Sequence, residues 1–413
     1  MRYKGSVANP KHAGRELDVA AVVTASVTQQ DRSFRIQVDL VDVARDAQIW
    51  GTVYQGDASE LPSLQSRILQ DLAGALKVPL SEQQQRRLGQ SPTGSAEAYR
   101  VYLQGRFEWS QRSEAGLKRA IERFREAVAI DPRFAVAHSG LADAYSALGY
   151  LSYLAPAEAF PEARRHALRA LELDTSLAEA HASLGFVKLY FDWDWPGAEA
   201  AFQHAIALDP NQPAAHQWYS IYLLAAGRPS AALRAIETAQ QRDPLSLAVN
   251  TDLGFHYYYT RRYDDAVKQL KFVLDMNPNF PPAHLWLGRT YQELDRFDDA
   301  LTAFAHVEER IRNWPVAIAA RGFVTGVSGR AEHTREALAE LQALSAKRFV
   351  TSYGTALVYA SLGENDAAFA ALEKAFEERS NWLVWLRLDP RWNALRRDAR
   401  FDVLVSRMRF PGQ

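Results

Sequence analysis

The sequence predicts a mostly α-helical protein, an array of stacked helical hairpins preceded by a small, incomplete α/β domain. Three observations carry the prediction. Asp131-Pro132, Asp174-Thr175, Asp209-Pro210, Asp243-Pro244 and Asn277-Pro278 recur at intervals of 43, 35, 34 and 34 residues. Between them one pattern returns: Ala283-His284-Leu285-Trp286-Leu287-Gly288 matches Val249-Asn250-Thr251-Asp252-Leu253-Gly254, and Asp299-Ala300-Leu301 matches Asp265-Ala266-Val267. Ahead of the repeats, Phe34, Ile36, Val38 and Leu40 alternate with Arg35, Gln37 and Asp39, which is the period of a strand.

Val22–Thr28 and Phe34–Leu40 read as an antiparallel hairpin, and Gln48–Gln55 as a third strand beyond a polar turn at Ala44–Ala47. A short helix at Pro10–Leu17 comes before them. Leu61, Leu64, Ile68, Leu72 and Leu76 then recur at three- and four-residue spacing, one stripe of a helix that can cover the sheet. Pro62 falls in its first turn, where a missing N–H costs little. This gives an α/β domain over 1–80 with three antiparallel strands and two helices. A polar linker with Gly89, Pro92 and Gly94 follows over 81–95, then about eight hairpins over 96–378, the seventh degenerate, and a helical cap over 379–413.

At 413 residues the chain exceeds one ordinary core, but a repeat array escapes that limit because each unit packs only on its neighbours. The 48 basic residues balance 49 acidic ones, so bulk charge gives no reason to expect nucleic acid or an anionic membrane as partner. The absence of cysteine excludes disulfides and thiolate chemistry. The sequence has no apolar run of about 18–20 residues, so neither a membrane span nor a leader is expected in it. A cytoplasmic location is the default expectation, or a periplasmic one if the chain continues a longer, membrane-tethered protein. Because the α/β part begins as if in mid-domain, an upstream segment is expected.

Within the repeats, Leu287, Gly288, Tyr291, Ala300 and Phe304, echoed by Leu253, Gly254, Tyr257, Ala266 and Leu270, resemble the signature of the tetratricopeptide family over roughly 97–378. The resemblance implies a right-handed superhelix. Physically, Gly or Ala at these positions lets paired helices approach, and Pro after Asp stops the second helix. Val41-Asp42-Val43 followed by Gln48-Ile49-Trp50-Gly51 resembles the second half of a TolB-amino-terminal-like α/β domain. Asp389-Pro390-Arg391-Trp392 resembles the last motif of repeats attached to bacterial receptor kinases. A loop protruding between Tyr145 and Ala163 is expected, and Trp193 and Trp195 are expected to wedge a hairpin turn against an adjacent unit.

No catalytic constellation emerges: there is no phosphate-cradling glycine loop, His-Glu-x-x-His or nucleophile elbow, so no enzyme activity is expected. His138, His181, His216 and His284 recur at one position of their units. Units packed ~8–10 Å apart cannot bring these rings onto one zinc ion, so interhelical packing is expected, and neither metal nor cofactor.

The family resemblance implies a concave surface that binds a protein or peptide partner. Its positions correspond here to Phe186, Leu189, Tyr190, Gln217, Ile221, Leu224, Phe255, Tyr258, Tyr259, Arg289, Gln292 and Glu293. An aromatic groove with an arginine at one side suits an extended or helical peptide. Tyr258 and Tyr259 are expected to face it and Tyr257 to pack inside. The expected function is a non-catalytic interaction scaffold, the partner-binding part of a bacterial signalling protein. The alternative is self-association, as a homo-oligomer or within an envelope complex.

Overall fold

The computed structural model describes residues 10–16, 19–30, 33–57, 60–78 and 92–412. They divide into two compact units, one comprising 1–110 and 119–138, the other 111–118 and 139–413.

In the first unit, α1 (Pro10–Glu16), β1 (Ala21–Gln30), β2 (Ser33–Asp42), β3 (Ala47–Asp57) and α2 (Leu61–Ala75) follow one another. The strands form an antiparallel sheet ordered β1-β2-β3. Ile36 stands opposite Val27 on one side and Tyr54 on the other. Phe34, Val38 and Tyr54 form a core with Leu64, and Ile68 and Leu72 pack against it, so the helical stripe covers the alternating face. Beyond it lie α3 (Ala96–Ser110) and most of α4 (Glu114–Ile130), where Ala98, Tyr99 and Val101 pack with Ala127, Phe134 and Ala137. Most of the expected 81–95 linker falls outside the described residues.

The second unit is a ladder of helix pairs that follows α5 (Ala135–Tyr150) and α6 (Pro156–Leu173). These are α7 (Ala178–Val187) with α8 (Trp195–Leu208), α9 (Pro213–Ala225) with α10 (Pro229–Arg242), α11 (Leu247–Tyr259) with α12 (Tyr263–Met276), and α13 (Pro281–Glu293) with α14 (Phe297–Arg310). Pairs α15 (Pro315–Val327) with α16 (Ala331–Ser345) and α17 (Ser352–Ser361) with α18 (Asn365–Glu377) complete it. The fold is an α-solenoid preceded by a small α/β region. Glycine sets the closeness within a pair: a Cβ on Gly254 would lie 2.7 Å from Leu270 Cγ, and one on Gly185 would lie 2.9 Å from Phe202 Cε1.

The turns between pairs share one hydrogen-bonding device. Asp209 Oδ1 accepts from Asn211 N at 3.1 Å and Asn277 Oδ1 from Asn279 N at 3.0 Å, closing an Asx turn where proline or its equivalent stops the helix. Six residues after the carbonyl it meets, a side chain of the next helix ties the turn down. His216 Nε2 meets Pro210 O at 2.9 Å, His284 Nε2 meets Pro278 O at 2.8 Å, and His181 Nε2 meets Thr175 O at 3.1 Å. Asn250 Nδ2 does the same to Pro244 O at 2.9 Å. His181, His216 and His284 are thus turn locks as well as packing residues.

Two local expectations are corrected. The residues between α5 and α6 do not protrude: Ser152 and Tyr153 are buried, the Trp314 indole N–H donates to Leu151 O at 2.8 Å, and Tyr153 and Trp314 ring centroids lie 5.9 Å apart. The ladder therefore returns on itself between α5 and α15. The aromatic insertion is absorbed by a π-helical turn at Lys188–Asp192 that ends on Trp193 in the left-handed region, φ 56°. Its tryptophans meet the far end of the chain. Trp193 packs on Phe376 at 4.8 Å, and Trp195 donates to Met408 O at 2.9 Å.

The chain's last part is likewise different from a terminal cap. After α18 come 3-10 turns at Asn381–Trp385 and Pro390–Trp392 and helix α19 (Ala399–Arg407). Trp382, Leu383, Val384, Trp385, Leu386 and Trp392 are buried. Proline and the short turns preclude one continuous amphipathic helix, and the segment folds inward instead.

Candidate functional site

The first helices of the pairs are apolar on more than one face. In α11, Val249, Leu253, Phe255, Tyr258 and Tyr259 are all buried, as are Leu285, Trp286, Leu287, Arg289 and Tyr291 in α13. One face packs on the partner helix, so the other needs a second cover. The segment after α18 supplies it. Trp385 lies 4.8 Å from Phe255, edge to face, and 4.8 Å from Tyr259, stacked. Trp382 stacks on Tyr150 at 6.2 Å and donates to Ser152 Oγ at 3.3 Å. Asn381 Nδ2 donates to Tyr150 O at 3.0 Å, and Arg387 Nη2 to Ala225 O at 3.5 Å. The last two hydrogen bonds span sequence separations of 231 and 162 residues, so the segment crosses several repeats.

A buried polar knot fixes the segment in place. Arg391 donates to Asp389 from Nε at 2.9 Å and Nη2 at 2.5 Å, the Tyr353 hydroxyl donates to Asp389 Oδ2 at 2.9 Å, and the Trp392 indole donates to the Tyr353 hydroxyl at 2.7 Å. Burial opposes the charge of Asp389, but the Arg391 guanidinium outweighs it and holds the carboxyl below its usual range.

The residues expected to line an open groove are distributed among four environments. Phe255, Tyr259 and Arg289 meet the inserted segment, and Tyr258 is fully buried. Leu189, Tyr190, Leu224 and Gln292 are core. Phe186, Gln217 and Ile221 line one cavity. Glu293 is half-buried and accepts from Gln292 Nε2 at 2.8 Å. The solvent-facing groove is thus corrected to a face covered by the chain itself. The tyrosine run is also reversed: Tyr257 is the partly exposed ring, under Arg262 at 4.5 Å, while Tyr258 and Tyr259 are inside.

Charges on this face are strongly perturbed. Arg289 is held between Trp286, 4.6 Å from the ring centroid, and Trp382, at 4.9 Å, while its Nε and Nη1 have no hydrogen-bond partner among the described residues. Burial, and then the charge of Arg391, bring its guanidinium down to about 10. Burial and then the nearby Asp389 raise Glu293 to about 7. His256, buried in α11, is pushed down to about 4 by burial and stays neutral.

The cavity lies among the rings of Tyr150, Phe186, Trp218, Trp286, Trp314 and Trp382 and has a volume of about 90 Å³. That is several times the ~10–15 Å³ that one water needs. Its charged lining is Arg112 and Asp252, and Gln217 Nε2 donates to Asp252 Oδ2 at 2.6 Å. Burial raises Asp252 to about 6, more than the Gln217 hydrogen bond and the Arg112 charge lower it. Among the described residues no group of three or more His, Cys, Asp or Glu is placed to hold a metal ion. No described helix is long and apolar enough to cross a membrane.

Comparison with known proteins bears on the repeats. Residues 194–246 and 258–321 each match tetratricopeptide-repeat families. The transcriptional regulator HilA of Salmonella typhimurium is 27% identical over 179 residues, 43% of this chain and 32% of that protein. Putative adenylate cyclase 3 of Rhizobium meliloti is 25% identical over 230 residues, 54% of this chain and 32% of that protein. The chain thus spans about a third of the length of the curated relatives it matches. Among solved structures, a monomeric mutant of IFIT1 with Gppp-AAAA superposes with a TM-score of 0.52 at 14% identity, covering 83% of this chain and 75% of that one. Pseudomonas aeruginosa pilF gives 0.38 at 19% identity, covering 56% of this chain and 98% of that one. The likeness to IFIT1 concerns the fold alone.

Proposed function

This chain is a tetratricopeptide-repeat protein, and we propose that it acts as the partner-sensing scaffold of a bacterial signalling protein, its inner face taking a peptide segment of a protein partner. The single observation that carries the reading is the seat of Trp385 against the paired rings of Phe255 and Tyr259. The face is built to hold a chain by tryptophan anchors, which are among the strongest contributors to peptide affinity. In the resting chain that place is taken by 381–392, so a partner segment must displace it or extend it. The match of parts of this chain to parts of a transcriptional regulator and a putative adenylate cyclase supports the signalling role. The chemistry of effectors would reside in parts beyond the matched third of those proteins.

The test is a labelled synthetic peptide of residues 381–396 offered to the full chain and to Trp385→Ala. Removing the anchor loosens the resident segment, so the variant should bind the peptide at least tenfold more tightly than the wild type. Equal binding to both, or binding to neither with the variant folded, contradicts the reading.

A further inference from the structure

We propose that the cavity between Asp252 and Trp382 is a binding site for a small organic cation, an alkylated ammonium group with an apolar shell. Its lining includes Trp382 of the covering segment but not Phe255, Tyr259 or Trp385, so it is a site of the chain with that segment in place.

Four features lead there. The volume of about 90 Å³ is well under the ~300 Å³ at which pockets for drug-sized ligands begin, so the cavity suits a compact head group and not an extended molecule. Its walls are aromatic: Tyr150, Phe186, Trp218, Trp286, Trp314 and Trp382 line it, and aromatic side chains attract cations through the negative faces of their rings. Its acid is Asp252, whose Oδ2 accepts from Gln217 at 2.6 Å. The same aromatics already hold a cation from outside the cavity, because Arg289 lies between Trp286 and Trp382. An anion would be attracted by Arg112 alone and repelled by the Asp252 carboxylate and the ring faces.

Arg112 is the base of the lining. It makes the charged wall neutral overall when Asp252 is ionised, which leaves the aromatic quadrupoles to decide the sign of the ligand. Burial outweighs both the Gln217 hydrogen bond and the Arg112 charge at Asp252, so this carboxylate remains undercompensated and gains from a further positive neighbour. A cation with methyl groups also displaces water from apolar walls, which a hydrated metal ion does not.

The experiment is calorimetric titration of the full chain with three probes of nearly one shape: choline, its neutral carbon isostere 3,3-dimethyl-1-butanol, and 3,3-dimethylbutyrate. Choline should bind most tightly, about tenfold or more over the neutral isostere, as expected of a desolvated cation–π site; the carboxylate should not bind. Asp252→Asn should erase most of the choline preference and leave the neutral isostere unchanged. Because the probe series is read on the unaltered protein, it stands even if that variant fails to fold. A trimethyl-lysine peptide tested against its unmodified lysine form tells a partner's side chain from a free ammonium compound as the source. If the neutral isostere binds as well as choline, or if no probe saturates at tens of millimolar, the inference is overturned.

Discussion

The Tyr353 hydroxyl donates to Asp389 Oδ2 at 2.9 Å while it accepts the Trp392 indole N–H at 2.7 Å, which ties helix α17 to the inserted segment through a residue 36 positions later. Asp389 is in turn forked by Arg391 with both side chains buried. Breaking such a pair leaves a buried charge alone. Asp389→Asn should lower the unfolding free energy by about 3–5 kcal/mol, and Tyr353→Phe by about 1–3 kcal/mol, both read from denaturant midpoints. Adding Arg391→Met to Asp389→Asn should recover part of the loss, since it removes the orphaned guanidinium.

The helical glycines divide by what surrounds them. Gly254 faces Leu270, and a Cβ on Gly288 would collide with Phe304, so Gly254→Leu or Gly288→Leu should cost about 1–3 kcal/mol through overpacking. Gly74, in helix α2, has open space within 4 Å of where an alanine methyl would stand. There Gly74→Ala should stabilise by about 0.5–1 kcal/mol. A thermal melt of each variant checks the contrast.

His216, His284 and His181 hold the turn carbonyl that Asn250 holds in its own repeat. His216→Asn should therefore be nearly neutral, whereas His216→Ala should lose about 0.5–1.5 kcal/mol, the net value of one hydrogen bond. Equal losses from both substitutions would assign the ring to packing alone.

Glu293 keeps its proton up to about pH 7 in the folded chain, against a reference value of 4.5. The native state thus binds more protons than the unfolded one between those values, and stability falls as pH rises from about 4.5 to about 7. Glu293→Gln removes that slope. Relative to the wild type it should gain on the order of 1–2 kcal/mol between pH 5 and pH 8, measured by paired denaturations. Asp252 and His256 titrate in both proteins and cancel in the difference.

The repeat itself was legible because its punctuation is chemical: the Asp-Pro turns, the small residues beneath aromatic partners and the recurrent histidines each impose one local geometry. The sheet was legible from the alternation of Phe34, Ile36, Val38 and Leu40. The cover over the inner face was hidden because Trp382, Trp385, Leu388 and Trp392 among arginines have the composition of an amphipathic cap helix. Two signals point the other way. Pro390 interrupts any such helix, and Phe255, Tyr258 and Tyr259 leave α11 without a polar face, which requires a second apolar surface from somewhere in the chain. The Trp193 and Trp195 insertion looks local in sequence because sequence separation is silent about contacts more than 180 residues away, such as Trp193 with Phe376 or Trp195 with Met408.

Hydrogen–deuterium exchange over residues 381–392 of the full chain tests most directly whether this face is covered by its own segment. The backbone amides of Leu386, Leu388 and Asp389 donate to Leu383 and Trp385 carbonyls at 2.8–3.0 Å within buried sequence, so they should exchange as slowly as helix α11. In Trp385→Ala they should exchange far faster while α11 loses protection around Phe255 and Tyr259. Exchange of 381–392 in the wild type at the rate of an unprotected chain end would contradict the account.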